Sequence, residues 1–162
     1  MDKIILNGNI VDNNVSHIAD EDAVPTSGTI SVSLERWIEN REELIARGNC
    51  GVRLTGGDDF SQILPDLAKL PSIAIEFPAF TDGRGYSYAT LLRTRHGYTG
   101  ELRAIGDVGQ DQLQPLQRCG FTAFELREGL DPTAAIDGFD DFSVRYQPSA
   151  DVNLPLYRQI RR

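Results

Sequence analysis

Apolar positions along the chain follow two periods in turn. Short runs at strand spacing occur at Thr29–Val32, Gly51–Thr55, Ser72–Phe77, Glu101–Gly106 and Phe121–Leu126. Each is followed by a stretch at helical spacing. Leu34, Trp37, Ile38, Leu44 and Ile45 share one helix face after a Ser33 cap, and Gly48 ends that helix. Phe60, Ile63, Leu64, Leu67 and Leu70 form the next face, with Pro65 confined to an irregular first turn. Helices then follow over Gly85–His96 and over Gln110–Arg118, the latter with Leu113 and Leu116 inward and Pro115 in its first turn. Asp131-Pro132 opens a last helix through Ala134, Ala135 and Ile136. Phe142–Tyr146 reads as a sixth, weaker strand. Strands alternating with helices predict an α/β fold with a mainly parallel sheet.

Ahead of this repeat, Ile4-Ile5-Leu6 and Ile10-Val11 flank Asn7-Gly8, which predicts an N-terminal β-hairpin with a type I′ turn. Residues Asp12 to Gly28 read as a polar connection, and His17 within it as a surface imidazole. Residues 1–162 are expected to form a single domain, with the hairpin and connection over 1–28 and a C-terminal arm over 147–162.

Alternation along the strands separates two faces. Val52, Leu54, Ile73, Ile75, Leu102, Ala104 and Phe124 would meet the helices. Arg53, Ala74, Glu76, Arg103, Asp107, Ala123, Glu125 and Arg145 would share the other face. A doubly wound sheet is apolar on both faces. A polar second face predicts instead a curved, partial (βα)-barrel-like sheet with helices on one side only. With strands in chain order, Arg53 falls near Glu76 and Arg103 near Glu125, as neutralising ion pairs or as the lining of a site. The hairpin or a symmetric second subunit, and hence a homodimer, would complete the barrel.

Composition narrows the function classes. A net charge of −8 over 162 residues argues against a nucleic-acid surface or a polybasic membrane patch. No apolar run approaches a membrane span, and MDKIILNGNIV lacks the features of a signal peptide, so a cytoplasmic location is expected. Cys50 and Cys119 stand far apart and read as two packed thiols. There is no GxGxxG, P-loop, nucleophile elbow or HExxH, and no haem, iron–sulfur or flavin pattern, so no cofactor is expected in this chain.

Ligands of parallel α/β folds sit at the carboxyl ends of strands. Those ends carry Thr55 with Gly56-Gly57-Asp58-Asp59, Glu76 with Asp82 and Arg84, Gly106-Asp107, and Glu125 with Arg127. The turn Thr81-Asp82-Gly83-Arg84-Gly85 reads as an anion cradle. Glycine lets backbone N–H groups approach an oxyanion, and the guanidinium binds two oxygens at once. An ordinary turn capped by Asp82 is the alternative. Candidate catalytic groups are Glu76, Asp82, Asp107 and Glu125. Candidate ligand-binding residues are Thr81, Gly83, Arg84, Gly85, Arg103 and Arg127. Glu76, Asp107 and Glu125 could alternatively converge on Mg²⁺, in a magnesium-dependent enzyme of barrel type. His96 reads as a helix-ending surface residue.

The strings FTDGRGYS (Phe80–Ser87), GELRAIGDV (Gly100–Val108), DQL (Asp111–Leu113) and RCGF (Arg118–Phe121) occur in this order, and DDFSVRYQ (Asp140–Gln147) follows. With them the chain from Thr29 onward resembles a bacterial family of unknown function. Its genes lie beside those for sulfite reductase and phosphoadenosine phosphosulfate reductase, and its members are described as oxidoreductases of sulfite reduction. The resemblance implies a place in assimilatory sulfate and sulfite reduction, as an oxidoreductase component or accessory subunit acting with sulfite reductase. It implies no catalytic residues. A small oxyanion or a phosphosulfate nucleotide is the ligand compatible with the cradle. The alternative is a non-catalytic binding partner of sulfite reductase, with Arg158, Arg161 and Arg162 or the polar sheet face as its contact.

Overall fold

The computed structural model describes residues 3–139 and 148–151. The strand expected over 142–146, Arg145 and the terminal arginines lie outside the described residues. Among the described residues eight strands form one sheet: β1 (Lys3–Leu6), β2 (Asn9–Asp12), β3 (Val15–His17), β4 (Thr29–Ser33), β5 (Cys50–Leu54), β6 (Ser72–Phe77), β7 (Glu101–Gly106) and β8 (Ala123–Phe124). Their order is β2-β1-β8-β7-β6-β5-β4-β3. From β3 to β8 each strand lies parallel to the next in the chain. β1 runs antiparallel on β8 and β2 antiparallel on β1. The hairpin turn is as expected, with φ of 50° at Asn7 and 76° at Gly8.

Only Asn13 and Asn14 separate β2 from β3, yet these two strands are the opposite edges of the sheet. Three Cα–Cα steps reach about 11 Å at most. A flat eight-stranded sheet would hold its edge strands about 34 Å apart. The sheet therefore curls into a half-barrel, and the hairpin supplies its antiparallel side. β3 was not foreseen in the polar connection. Its side chain His17 reaches Glu125, just beyond β8, at 3.1 Å, so the surface imidazole expected there is instead an interior contact.

The helices cover the convex face. The first expected helix is two, α1 (Leu34–Glu39) and α2 (Arg41–Arg47). Asn40, at φ −117° and ψ 26°, leaves the helical conformation between them, and its backbone N–H and side-chain amide both donate to the Arg36 carbonyl at 3.1 Å. After the break Leu44 is buried with Trp37, whereas Ile38 is exposed. Phe60–Lys69 is a 3-10 helix, not an α-helix; Pro65 within it cannot donate. α3 is Arg84–Thr94, α4 Leu113–Arg118 and α5 Pro132–Ala135, the last capped by Asp131 onto the Thr133 N–H at 2.9 Å. Beneath them Val52, Leu54, Ile73, Ile75, Leu102 and Ala104 are fully buried, with Phe124 almost so. Cys50 and Cys119 are free thiols, and burial pushes that of Cys50 up to about 11. No helix among the described residues is long and apolar enough to cross a membrane.

The concave face is layered by register. Ser33, Arg53, Ala74, Arg103 and Ala123 form one row across β4 to β8. Glu76 pairs with Ile105 in the row nearer the strand C-termini, and Ser72 with Glu101 in the row below. Gly106 ends β7 at φ 90°, and a Cβ there would stand 2.4 Å from the Phe77 carbonyl oxygen. That approach lets the Asp107 N–H donate to the same oxygen at 2.8 Å. Gly106→Ala combines a backbone collision with a left-handed φ, so a loss of at least about 2 kcal/mol is expected in urea unfolding. An unchanged midpoint would contradict this packing.

Candidate functional site

Inside the half-barrel the polar face converges on Arg103, which is 2% exposed. Its Nε donates to Glu101 Oε1 at 2.8 Å, and its NH1 donates to Asn13 Oδ1 at 2.9 Å and Glu125 Oε1 at 2.5 Å. His17 Nε2 lies 3.1 and 3.2 Å from the two oxygens of Glu125. An ionised carboxylate only accepts, so Nε2 is the donor in this contact. Burial pushes the Glu125 carboxyl up, but the bonds from His17 and Arg103 outweigh it and hold the group below its ordinary value. Burial likewise works against the charge of Arg103, and Glu101 and Glu125 more than offset it.

The expected pairings of Arg103 with Glu125 and of Arg53 with Glu76 are both present, the second at 3.8 Å. His17 and Asn13 were missed as interior partners. The alternation of Val15, Ser16 and His17 is a strand signal that could have revealed β3. Nothing local announces a contact to a residue 108 positions away.

The loops beyond the strand C-termini are tied to one another. Asp58 Oδ2 accepts from the Thr55 N–H and hydroxyl at 2.6 and 3.0 Å. The Tyr88 hydroxyl, from α3, donates to the Gly56 and Asp58 carbonyls at 3.2 and 2.7 Å. In the glycine turn the Asp82 carboxylate takes the Arg84 N–H at 3.2 Å, its Nε at 2.9 Å and its NH2 at 2.7 Å. The donors expected to cradle an external anion thus hold the chain's own carboxylate. Arg84 also lies over Gly56, where a Cβ would come within 2.6 Å of its Nε. Gly83 is the N-cap of α3 and Thr81 is exposed. Gly85 is a packing residue: a Cβ there would collide with Phe77 and Ile75 at 2.7 and 2.8 Å.

Farther along the rim, Asp107 accepts from the Phe80 N–H at 3.0 Å and from Arg127 NH1 at 3.3 Å. Glu76, Asp107 and Glu125 therefore answer to three different arginines. β7 stands between Glu76 and Glu125, two strand spacings or about 10 Å of sheet. Among the described residues no three His, Cys, Asp or Glu side chains gather closely enough to hold a metal ion.

A cavity of about 420 Å³ opens where the parallel strands meet the antiparallel hairpin, just past the end of β8. Glu125 and Asn13 line it together with Lys3, Arg127 and Glu128, and Ile4, Leu126, Leu130 and Pro132 supply apolar wall. Lys3 makes no ion pair among the described residues. Arg127 is half exposed, and among the described residues its guanidinium is held by one long contact, to Asp107. The sequence pointed to Glu125 and Arg127; Lys3 joins them only because β1 pairs with β8.

The Asp82–Arg84 lock gives a pH signature. The hydrogen bonds from Arg84 hold the Asp82 carboxyl at about 2, against 3.8 for an ordinary aspartate. A depressed folded value stabilises the fold above the unfolded value, and that contribution fades as pH falls from about 4 to about 2. Carboxyl-carbon NMR should place the Asp82 midpoint near 2, rising toward the ordinary value in Arg84→Ala. A midpoint near 4 in the unaltered protein would show that the lock does not form.

The family model described as "Bacterial protein of unknown function (DUF934)" matches residues 51–157. The match runs from within β5 through Arg103, Glu125 and Arg127, and takes in about two thirds of the 162 residues. No curated protein matches the chain. On the strength of that span, the chain belongs to the DUF934 family of bacterial proteins of unknown function.

Proposed function

We propose that the protein binds an anion in the cavity at the end of β8 and serves sulfite reduction as a component acting with sulfite reductase. The observation that carries the binding is the pair of cations Lys3 and Arg127 lining one cavity at the C-terminal end of a parallel strand, the first without an ion pair among the described residues and the second lightly held there. A guanidinium can leave a single 3.3 Å contact for two charge-assisted bonds to an oxyanion at little cost. The Arg84 guanidinium is less available, because two bonds commit it to Asp82. The pathway rests on the resemblance of the strings around Phe80–Ser87 and Gly100–Val108, and a sulfur oxyanion fits the charge of the site. Phe80, 52% exposed on the same rim, suits a protein contact beside it.

Calorimetric titration with sulfite, sulfate and a phosphosulfate nucleotide tests the binding. At least one should give saturable heat, and Arg127→Ala should weaken it about tenfold, the worth of a charge-assisted hydrogen bond. No heat from any of the three ends the ligand assignment. Co-purification with sulfite reductase, lost in Phe80→Asp, tests the partnership separately. Failure of the unaltered protein to co-purify removes it.

A further inference from the structure

We infer that the ligand of this cavity is an organic anion, a phosphate or sulfate ester whose body carries hydrogen-bond donors, and not a bare inorganic oxyanion; this rests on the cavity being the binding site. Size is the first reason. A space of about 420 Å³ falls among pockets that take organic ligands, and an ion of four or five heavy atoms would leave most of it to solvent. The second reason is the apolar wall of Leu126, Leu130 and Pro132, to which a small oxyanion offers nothing.

The third is the distribution of charge. Lys3 and Arg127 bear the positive charge, but Glu125 lines the same space. Its carboxylate is fixed in place by Arg103 and His17. Glu125 is ionised, so it repels an anion and accepts from O–H or N–H groups. One molecule satisfies both ends if its charged ester lies against Lys3 and Arg127 while hydroxyl or amino groups farther along it donate to Glu125. Asn13, whose Oδ1 accepts from Arg103 and from the Val15 N–H, has amide N–H groups with no partner among the described residues, which suit an acceptor on the same body.

Three probes on the unaltered protein separate these features without risking its fold. Sulfite supplies charge alone, phenyl phosphate adds a body without donors, and adenosine 5′-monophosphate adds a body with donors. The expected order is adenosine monophosphate tightest and sulfite weakest, with about tenfold between adenosine monophosphate and phenyl phosphate from hydrogen bonds to a charged acceptor. Sulfite binding as tightly as adenosine monophosphate would overturn the organic class and leave the anion site standing. Equal affinity for the two esters would overturn the donor requirement. Binding by none of the probes, nor by sulfate or a phosphosulfate nucleotide, would overturn the site itself.

Discussion

A single guanidinium, that of Arg103, joins the parts of the sheet that the chain sets farthest apart. It sits in the middle of β7 with almost no exposure, and its bonds run to β7 itself, to the residue after β8 and to the link between the two edge strands. A charge so deeply buried is tolerable only when it is paired, and here Glu101, Asn13 and Glu125 accept three of its N–H groups, two of the three as carboxylates. His17 then bonds Glu125 from the far edge, so one carboxylate is held by two strands on opposite sides of the half-barrel. Removing the arginine would strand two acids in a space they cannot share, a change that costs about 3–5 kcal/mol in comparable buried pairs. The curl of the sheet and this network require each other. A flat sheet would leave Arg103 facing open solvent, and a curled one without it would enclose uncompensated carboxylates.

The network also decides where a ligand can go. Around the rim, loops are closed by their own side chains, Asp58 on Thr55 and Asp82 on Arg84, and Asp107 takes the Phe80 N–H. Strong self-pairing leaves little affinity for a guest. Past β8 the pattern changes, because the hairpin strand β1 runs antiparallel there. Lys3 arrives from that strand, and Glu125 is turned to the same space by partners on its other side. The cavity is thus a product of topology as much as of residue type.

Much of this was legible in the sequence. Val52, Leu54, Ile73, Ile75, Leu102 and Ala104 alternate with polar residues, and that pattern alone indicates one covered face and one polar face. Asn7-Gly8 specifies its own turn, and Asp131-Pro132 its own helix start. What was hidden depends on contacts at long sequence separation or on competition too local for periodicity to register. His17 looks like a loop residue until the sheet curls. Asn40 ends one short helix and begins another where the pattern reads as a single one. Gly85, read as room for an anion, is room for Phe77 and Ile75. The Asp82-Gly83-Arg84 sequence is the same whether the arginine binds a guest or its neighbour, and only geometry separates the two.

The sheet curls until β3 meets the end of β8 through His17 and Glu125. Nuclear Overhauser contacts in isotope-labelled protein test it most directly, because ring protons of His17 and side-chain protons of Glu125 lie close only in the curled form. Cross-peaks between these two side chains are the predicted result. Their absence, in spectra that show the β1–β8 and β7–β8 pairings intact, would contradict it.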